Sequence, residues 1–285
     1  MKTKCISTKK AIVINIVTVI TCTILAIIIH AILPAAVDAT KFDSILVKWF
    51  GFPAIAMFYF IVLFTQCAIA VGYIGRRTKL SKLQAGIRFG ISFAMIYLIG
   101  MQEVVIGGSP FSIWGIEFVK YQFIMGVGDG IPAILLCFTI TLFTLSNNKS
   151  SNEIEKLHVT KKIKAILIIA IGILIGRTIG YESGFITNDT SLYPIECYLW
   201  TVLFGLFMGC IYVILYPLLA FEKKHYRIAL RFVSTIGANW IIFNCFMGLI
   251  TKGIMPQMLF RSVVDVVILF VSAIAIDKYI ISLRN

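Results

Sequence analysis

The chain has 285 residues, of which 59% are hydrophobic and only 14% charged, and its mean hydropathy is +0.95. Soluble domains carry roughly 45 to 50% apolar and about 25% charged residues, so the composition excludes a soluble domain and predicts an all-α polytopic membrane protein. The net charge of +13 is spread over many short loops, which excludes a nucleic-acid-binding patch and is typical of topology signals in the bilayer.

The first predicted element is the apolar run Ala11–Leu33, which follows four lysines. A helix that crosses a membrane needs about 20 apolar residues, whereas the apolar region of a signal peptide has roughly 7 to 15. Val37 and Ala39 form a weak small-residue pattern of the kind found at cleavage sites, so a signal peptide is the alternative. The length of the run favours an uncleaved first helix.

Further apolar runs of similar length bring the predicted number of membrane helices to eight. They are Gly51–Ile74, Ile87–Ile106, Gln122–Leu145, Ile163–Gly180, Tyr198–Ala220, Ile228–Ile250 and Met258–Ile276. With the N-terminus placed inside, 20 of the 26 lysines and arginines fall in inner segments and six in outer ones. The positive-inside rule therefore predicts that both termini are cytoplasmic.

Residues 1–285 are predicted to form one integral membrane domain with two four-helix halves, 1–146 and 163–285, joined by a cytoplasmic linker, 147–162. In each half a basic loop leads into a helix that begins with Arg-Phe, and the last helix of the half carries an aspartate. Four helices per half predict a parallel 4+4 internal repeat. The matching letters are few, and similar spacing of membrane helices is the alternative explanation.

The fourth predicted helix has an unusual sequence, since its apolar run Tyr121–Phe143 contains three glycines, a proline and an aspartate. The residues that weaken the helix are Gly126, Gly128, Gly130 and Pro132. Unsatisfied backbone groups are tolerated in a bilayer only where protein or a water-filled cavity receives them. The sequence therefore predicts a broken or kinked helix that faces the interior, with Asp129 as the cap of its second half.

The fifth predicted helix has four glycines at i, i+4 spacing, which places them on one face: Gly172, Gly176, Gly180 and Gly184. Small residues at this spacing allow helices in a bilayer to approach closely. Packing against another helix of the same chain is the simplest interpretation. A homodimer interface and a sliding surface are the alternatives.

Several charged or polar side chains are predicted at similar depth between the outer surface and the midplane: Gln102, Glu103, Asp129, Arg177, Arg261 and Asp265. Charges inside membrane helices are costly and usually face the bundle interior or a watery cavity. These residues are therefore candidates for a ligand or ion site. In the structural alternative, Arg177 pairs with Asp129 or Glu182, and Arg261 pairs with Asp265 or extends to the surface.

The sequence contains no HExxH zinc helix, GxSxG elbow, phosphate-binding loop or dinucleotide fingerprint, and its cysteines form no metal-binding pattern. We therefore expect no metal and no cofactor. The leading hypothesis is a transporter of a small solute or ion in a bacterial plasma membrane. The alternatives are a membrane-embedded enzyme that acts on a lipid or lipid-linked substrate, and a non-catalytic immunity, sensory or assembly subunit with a membrane-complex partner.

Overall fold

The computed structural model of the chain describes residues 7–33, 39–103, 115–145, 157–221 and 224–281. Within these ranges every regular element is a helix, and eight helices are long and apolar enough to cross a membrane. The prediction of an all-helical chain with eight helices that suit a multi-pass membrane protein is thereby confirmed for the described residues. The linker predicted at 147–162 and both chain ends lie mostly or wholly outside the described residues.

The helices are numbered here in chain order, and α2 is the short one. Their bounds are α1 Thr8–Ile32, α2 Ile45–Phe50, α3 Phe52–Gly75, α4 Lys82–Gly100, α5 Ile116–Thr144, α6 Val159–Glu182, α7 Pro194–Leu219, α8 His225–Ile250 and α9 Met255–Ile281. The helix α8 contains a π-helical segment, Val233–Gly237, and α9 ends in a second one, Asp277–Ile281.

Local sequence signals explain where several helices begin. The Ser7 and Ser81 hydroxyls accept hydrogen bonds from backbone N–H groups in the first turns of α1 and α4, and Gln84 completes a capping box. Pro53 and Pro194 lie in the first turns of α3 and α7, where a missing N–H costs least. These helices therefore begin at residues of two kinds. The serine side chains bind backbone N–H groups that have no partner within the helix, and the prolines have no N–H that would need one.

The structure corrects the predicted break in the fourth membrane helix, because α5 runs continuously from Ile116 to Thr144 with Pro132 inside it. Pro132 removes only one donor from the helix ladder, and the remaining backbone bonds continue on both sides of it. Asp129 consequently lies inside a helix and is not an N-cap. The glycines instead allow close packing: a Cβ on Gly126 would lie 2.8 Å from the Leu98 Cα, and one on Gly130 would lie 3.1 Å from the Ala94 Cβ.

Contacts between neighbouring helices form a closed ring in the order α1, α3, α8, α9, α6, α7, α4, α5 and back to α1. Further contacts cross the ring between α3 and α5 and between α4 and α8. The interior is filled by large buried side chains from most of these helices, Trp240 and Tyr97 among them. Exposed isoleucine, leucine, valine and phenylalanine side chains cover the outside, as a bilayer requires.

Glycines mark the closest helix contacts. A Cβ on Gly205 would lie 2.7 Å from the Ala170 Cα, and one on Gly209 would lie 2.7 Å from the Ile166 Cα, so the backbones of α6 and α7 approach closely. A side chain at either position would meet backbone atoms that cannot rotate away. The small residues thus allow the two helices to pack closely, and this close packing stabilises the pair, as is typical of helices in a bilayer.

The four glycines predicted to share one face of α6 have three different surroundings. Gly172 and Gly176 lie against Ile268 of α9, with hypothetical Cβ distances of 3.2 Å and 2.2 Å, and Gly180 lies against Ile186. Gly184 does not belong to this face, because α6 ends at Glu182 and Gly184 adopts φ +74° in the following turn. A glycine is favoured there for its left-handed backbone, so its predicted packing role needs correction.

Candidate functional site

Arg177 is the centre of the largest buried charged cluster in the described part of the chain. Its Nε and Nη2 atoms donate to the two carboxylate oxygens of Asp265 at 2.8 Å and 2.6 Å. Its Nη1 and Nη2 atoms also donate to the two oxygens of Glu103 at 2.8 Å and 3.2 Å. One guanidinium group therefore binds two carboxylates, and this links α6 to α9 and to the segment that follows α4.

A second arginine completes the cluster. Arg261 of α9 donates from Nη1 to the same Glu103 oxygen at 2.7 Å and from Nη2 to the Thr187 carbonyl at 3.4 Å. Two arginines and two carboxylates give a formally neutral group of four. We call Glu103, Arg177, Arg261 and Asp265 the four-charge cluster.

All four side chains of this cluster are at least 95% buried. Glu103 lies just beyond the end of α4. Burial alone would raise the pKa of its carboxyl group, but the positive charges of Arg177 and Arg261 lower that pKa below its usual value. The carboxylate therefore stays ionised at neutral pH. Mutual pairing is what makes four charges tolerable at this depth.

Aromatic residues enclose the four-charge cluster. The Trp240 indole of α8 donates to Asp265 Oδ2 at 2.8 Å, and the Tyr181 hydroxyl lies 3.4 Å from Arg177 Nη1. The Arg177 guanidinium also faces the rings of Trp200 and Phe204 at centroid distances of 5.3 Å and 5.6 Å. The arrangement resembles a closed joint between helices more than an open binding site.

Asp129 does not join this cluster but forms a second, smaller one with His30 of α1. The His30 Nε2 and Asp129 Oδ1 atoms are 2.6 Å apart, and the Asp129 side chain is fully buried. The second oxygen, Oδ2, has no hydrogen-bond partner among the described residues. The imidazole is 21% exposed and packs against the Phe60 ring at a centroid distance of 5.5 Å. We call His30 and Asp129 the His–Asp pair.

The structure thus separates residues that the sequence places at one depth. Glu103, Arg177, Arg261 and Asp265 come together, whereas Asp129 lies with α1, which packs against α3 and α5. The two structural pairings considered for Arg177, with Asp129 and with Glu182, are not observed. Glu182 accepts a hydrogen bond from the Tyr198 hydroxyl at 2.6 Å, and Arg261 pairs with Glu103 instead of Asp265.

Gln102 lies next to Glu103 but does not bond to the cluster in the described structure. Its amide Nε2 is buried and has no partner among the described side chains and backbone. Trp200 lies near the start of the predicted apolar run Tyr198–Ala220, a position where a tryptophan often marks the membrane interface, but it is buried and donates to the Ile99 carbonyl at 3.1 Å. A tryptophan near the end of an apolar run therefore does not always mark the interface.

A third polar group connects α3 with α8 and α4. Asn239 Nδ2 donates to Gln66 Oε1 at 2.9 Å and to Cys67 Sγ at 3.3 Å, and Cys67 lies 3.4 Å from the Tyr97 hydroxyl. Gln66 and Asn239 could be recognised in the sequence as polar residues in apolar runs. No sequence signal marked Tyr97, because tyrosine is common in membrane helices.

Across the described ranges, no three His, Cys, Asp or Glu side chains lie close enough together to hold a metal ion. No protein-family model matches the chain, and comparisons with curated proteins and with solved structures likewise give no match. The fold and the geometry of its buried charges must therefore support any functional proposal.

Proposed function

We propose that the protein is a proton-coupled transporter of a small solute or ion and that the His–Asp pair is its protonation site. The observation that carries the proposal is the asymmetry of this pair. Its carboxylate is fully buried with one oxygen unpaired, while its imidazole is partly exposed. An ionisable residue within a membrane helix is energetically costly, so its presence indicates a functional site.

The chemistry of the pair suits reversible proton binding. Histidine has an unperturbed pKa near 6.5, so its charge changes close to physiological pH. With one shared proton the pair is neutral overall, as His⁺ with Asp⁻ or as two neutral groups. Adding or removing that proton leaves a net charge in a buried place, which costs free energy unless a solute, an ion or a movement of α1 or α5 compensates it. This coupling is what a proton-driven cycle needs.

The position of the pair supports access from one side. His30 lies two residues before the end of α1, and the topology predicted from the basic loops places that end at the outer surface. Asp129 lies on α5, whose glycines let it pack closely against α4. A proton from the outer side would therefore meet the imidazole first and the carboxylate second.

The proposal can be tested with the full-length protein in liposomes that enclose a pH-sensitive dye. A potassium gradient with valinomycin sets a potential that draws protons inward, and mixtures of amino acids, sugars and organic ions are added outside. We expect the wild-type protein to acidify the interior faster than empty liposomes do. Asp129→Asn and His30→Gln should abolish the difference, because neither variant keeps a titratable pair.

Glu117→Gln is the matched control, since Glu117 is an acidic residue of the same helix whose side chain is 81% exposed. It should acidify the liposomes like the wild-type protein. If Asp129→Asn retains the wild-type rate, or if the wild-type protein never exceeds empty liposomes with any solute mixture, proton coupling at this pair is refuted.

The four-charge cluster favours a second candidate function, that of a non-catalytic membrane subunit. Its four groups neutralise one another, and Arg177 and Asp265 are fully buried. Such pairing serves to join helices and requires no ligand. Equal liposome acidification with and without the protein, together with stable folding, would support this candidate over transport.

A further inference from the structure

A groove with a volume of about 520 Å³ lies between α3 and the π-helical segment of α8. This volume falls within the range of roughly 300 to 1,000 Å³ that is common for ligand sites. The groove opens on the surface that faces the bilayer, because its lining residues Ile61, Ile69 and Tyr73 are exposed at 38%, 66% and 53%. An occupant would therefore enter from the lipid and not from water.

Most of the groove lining is apolar, and the amide of Gln66 is engaged, whereas the buried Thr235 Oγ1 in the lining has no hydrogen-bond partner among the described residues. Gln66 Nε2 donates to the carbonyls of Ser234 and Thr235 at 3.0 Å and 2.9 Å. These carbonyls belong to the π-helical segment, where the wider turn frees backbone acceptors from the helix ladder. The amide group thus stabilises the irregular turn, and the remaining surface suits a hydrocarbon chain.

The groove has the length of one lipid leaflet. Its lining residues on α3 extend from Ile61 to Ile74, which are 13 positions apart, or about 20 Å at 1.5 Å per residue. The hydrocarbon core of a bilayer is about 30 Å thick, so one leaflet contributes about half of that. An acyl chain lying in the groove would reach from the membrane surface to near the midplane.

A basic group lies at one end of the groove. The Arg77 guanidinium stacks 3.9 Å above the Tyr73 ring and donates to the Tyr73 carbonyl at 2.9 Å. Arg76, Arg77 and Lys79 are all exposed, in the loop that the positive-inside rule assigns to the cytoplasmic side. Arg88 differs, since it donates to the Ile214 carbonyl at 2.6 Å and is partly buried. The exposed guanidinium groups are therefore suited to an anionic headgroup.

We propose that this groove binds one anionic phospholipid of the inner leaflet, with an acyl chain between α3 and α8 and the phosphate at Arg77. The apolar groove holds the chain, and the charge at its inner end selects the headgroup. Arginine is well suited to this role because its planar fork can donate two hydrogen bonds to phosphate oxygens. The site is separate from the His–Asp pair and does not depend on the transport proposal.

The test uses the full-length protein in detergent micelles, titrated with phosphatidylglycerol or with phosphatidylcholine of identical acyl chains and observed by native mass spectrometry. We expect a saturable adduct with phosphatidylglycerol that Arg76→Gln/Arg77→Gln weakens roughly tenfold to thirtyfold, since each basic residue near an anionic surface contributes about a factor of five. Thr65→Trp, which places a large ring in the groove, should weaken the adduct as well.

Each variant has a matched control. Lys162→Gln/Lys164→Gln removes two exposed charges from the same predicted membrane face, at the start of α6, and Ile171→Trp adds a ring to an exposed position outside the groove. Both controls should bind phosphatidylglycerol like the wild-type protein. Equal binding of both lipids overturns the headgroup assignment. An adduct that survives Thr65→Trp, or that weakens equally in the controls, overturns the groove as the site.

Discussion

The two buried charged groups of this protein differ in how completely their members are paired. In the four-charge cluster, Arg177 uses three nitrogen atoms to bind both oxygens of Asp265 and of Glu103. In the His–Asp pair, a single contact of 2.6 Å holds Asp129, and its other oxygen has no partner within the described ranges. The dense pairing around Arg177 stabilises one arrangement of helices, although the buried Arg261 Nε has no hydrogen-bond partner within the described ranges. The unpaired oxygen of Asp129 is the group to which we assign proton binding.

The difference also concerns which helices are joined. The four-charge cluster links α4, α6 and α9, and Trp240 adds α8 through Asp265. The His–Asp pair links only α1 and α5. A structural joint is expected where a polar cluster connects several helices, and a more easily broken contact where a pair connects only two. The following substitutions test this comparison in order of expected effect.

The largest effect is expected for Arg177→Gln. This substitution leaves two carboxylates buried without their main partner, and breaking a buried pair costs about 3 to 5 kcal/mol. The free energy of unfolding, measured by titration with sodium dodecyl sulfate in mixed micelles, should fall by that amount. Lys120→Gln is the control, because its ion pair with Glu117 is exposed and contributes little. Wild-type stability of Arg177→Gln would refute a structural role for the cluster.

The same substitution in both groups gives the most direct comparison. Asp265→Asn should lower the free energy of unfolding by about 2 to 4 kcal/mol, since it leaves the four-charge cluster with an uncompensated positive charge. Asp129→Asn should cost about 1 kcal/mol or less, because an amide can still accept a hydrogen bond from His30. Both values come from the same detergent titration. Equal losses would show that the two groups do not differ in the way proposed here.

A smaller effect is expected from the glycines of α5. Gly126→Ala should cost about 1 to 3 kcal/mol, because its Cβ would lie 2.8 Å from both the Leu98 Cα and the Tyr97 carbonyl oxygen. Gly128→Ala is the matched control in the same helix, since its Cβ would meet only the Ile29 Cγ2 methyl at 2.9 Å, which can rotate away. If both variants are equally stable in thermal unfolding, close packing does not explain the glycines.

The unbroken course of α5 shows how a local signal can mislead. Three glycines and a proline within seven residues lower helix propensity, which is why the sequence predicts a break. In the structure the neighbouring helix α4 fills the space that a side chain would need at Gly126 and Gly130. The packing energy gained by this close approach outweighs the local preference, and propensity is generally a weak guide when tertiary contacts compete with it.

The sequence alone determined the eight helices that are long and apolar enough to cross a membrane, and their approximate bounds, because apolar length is a local property. Only the tertiary structure decided that Arg177 binds Glu103 and Asp265 while Asp129 binds His30. Counting residues fixes a position along a helix axis but neither the rotation about that axis nor the order of neighbours. Those two quantities are set by packing among all the helices, and they decide which charges meet.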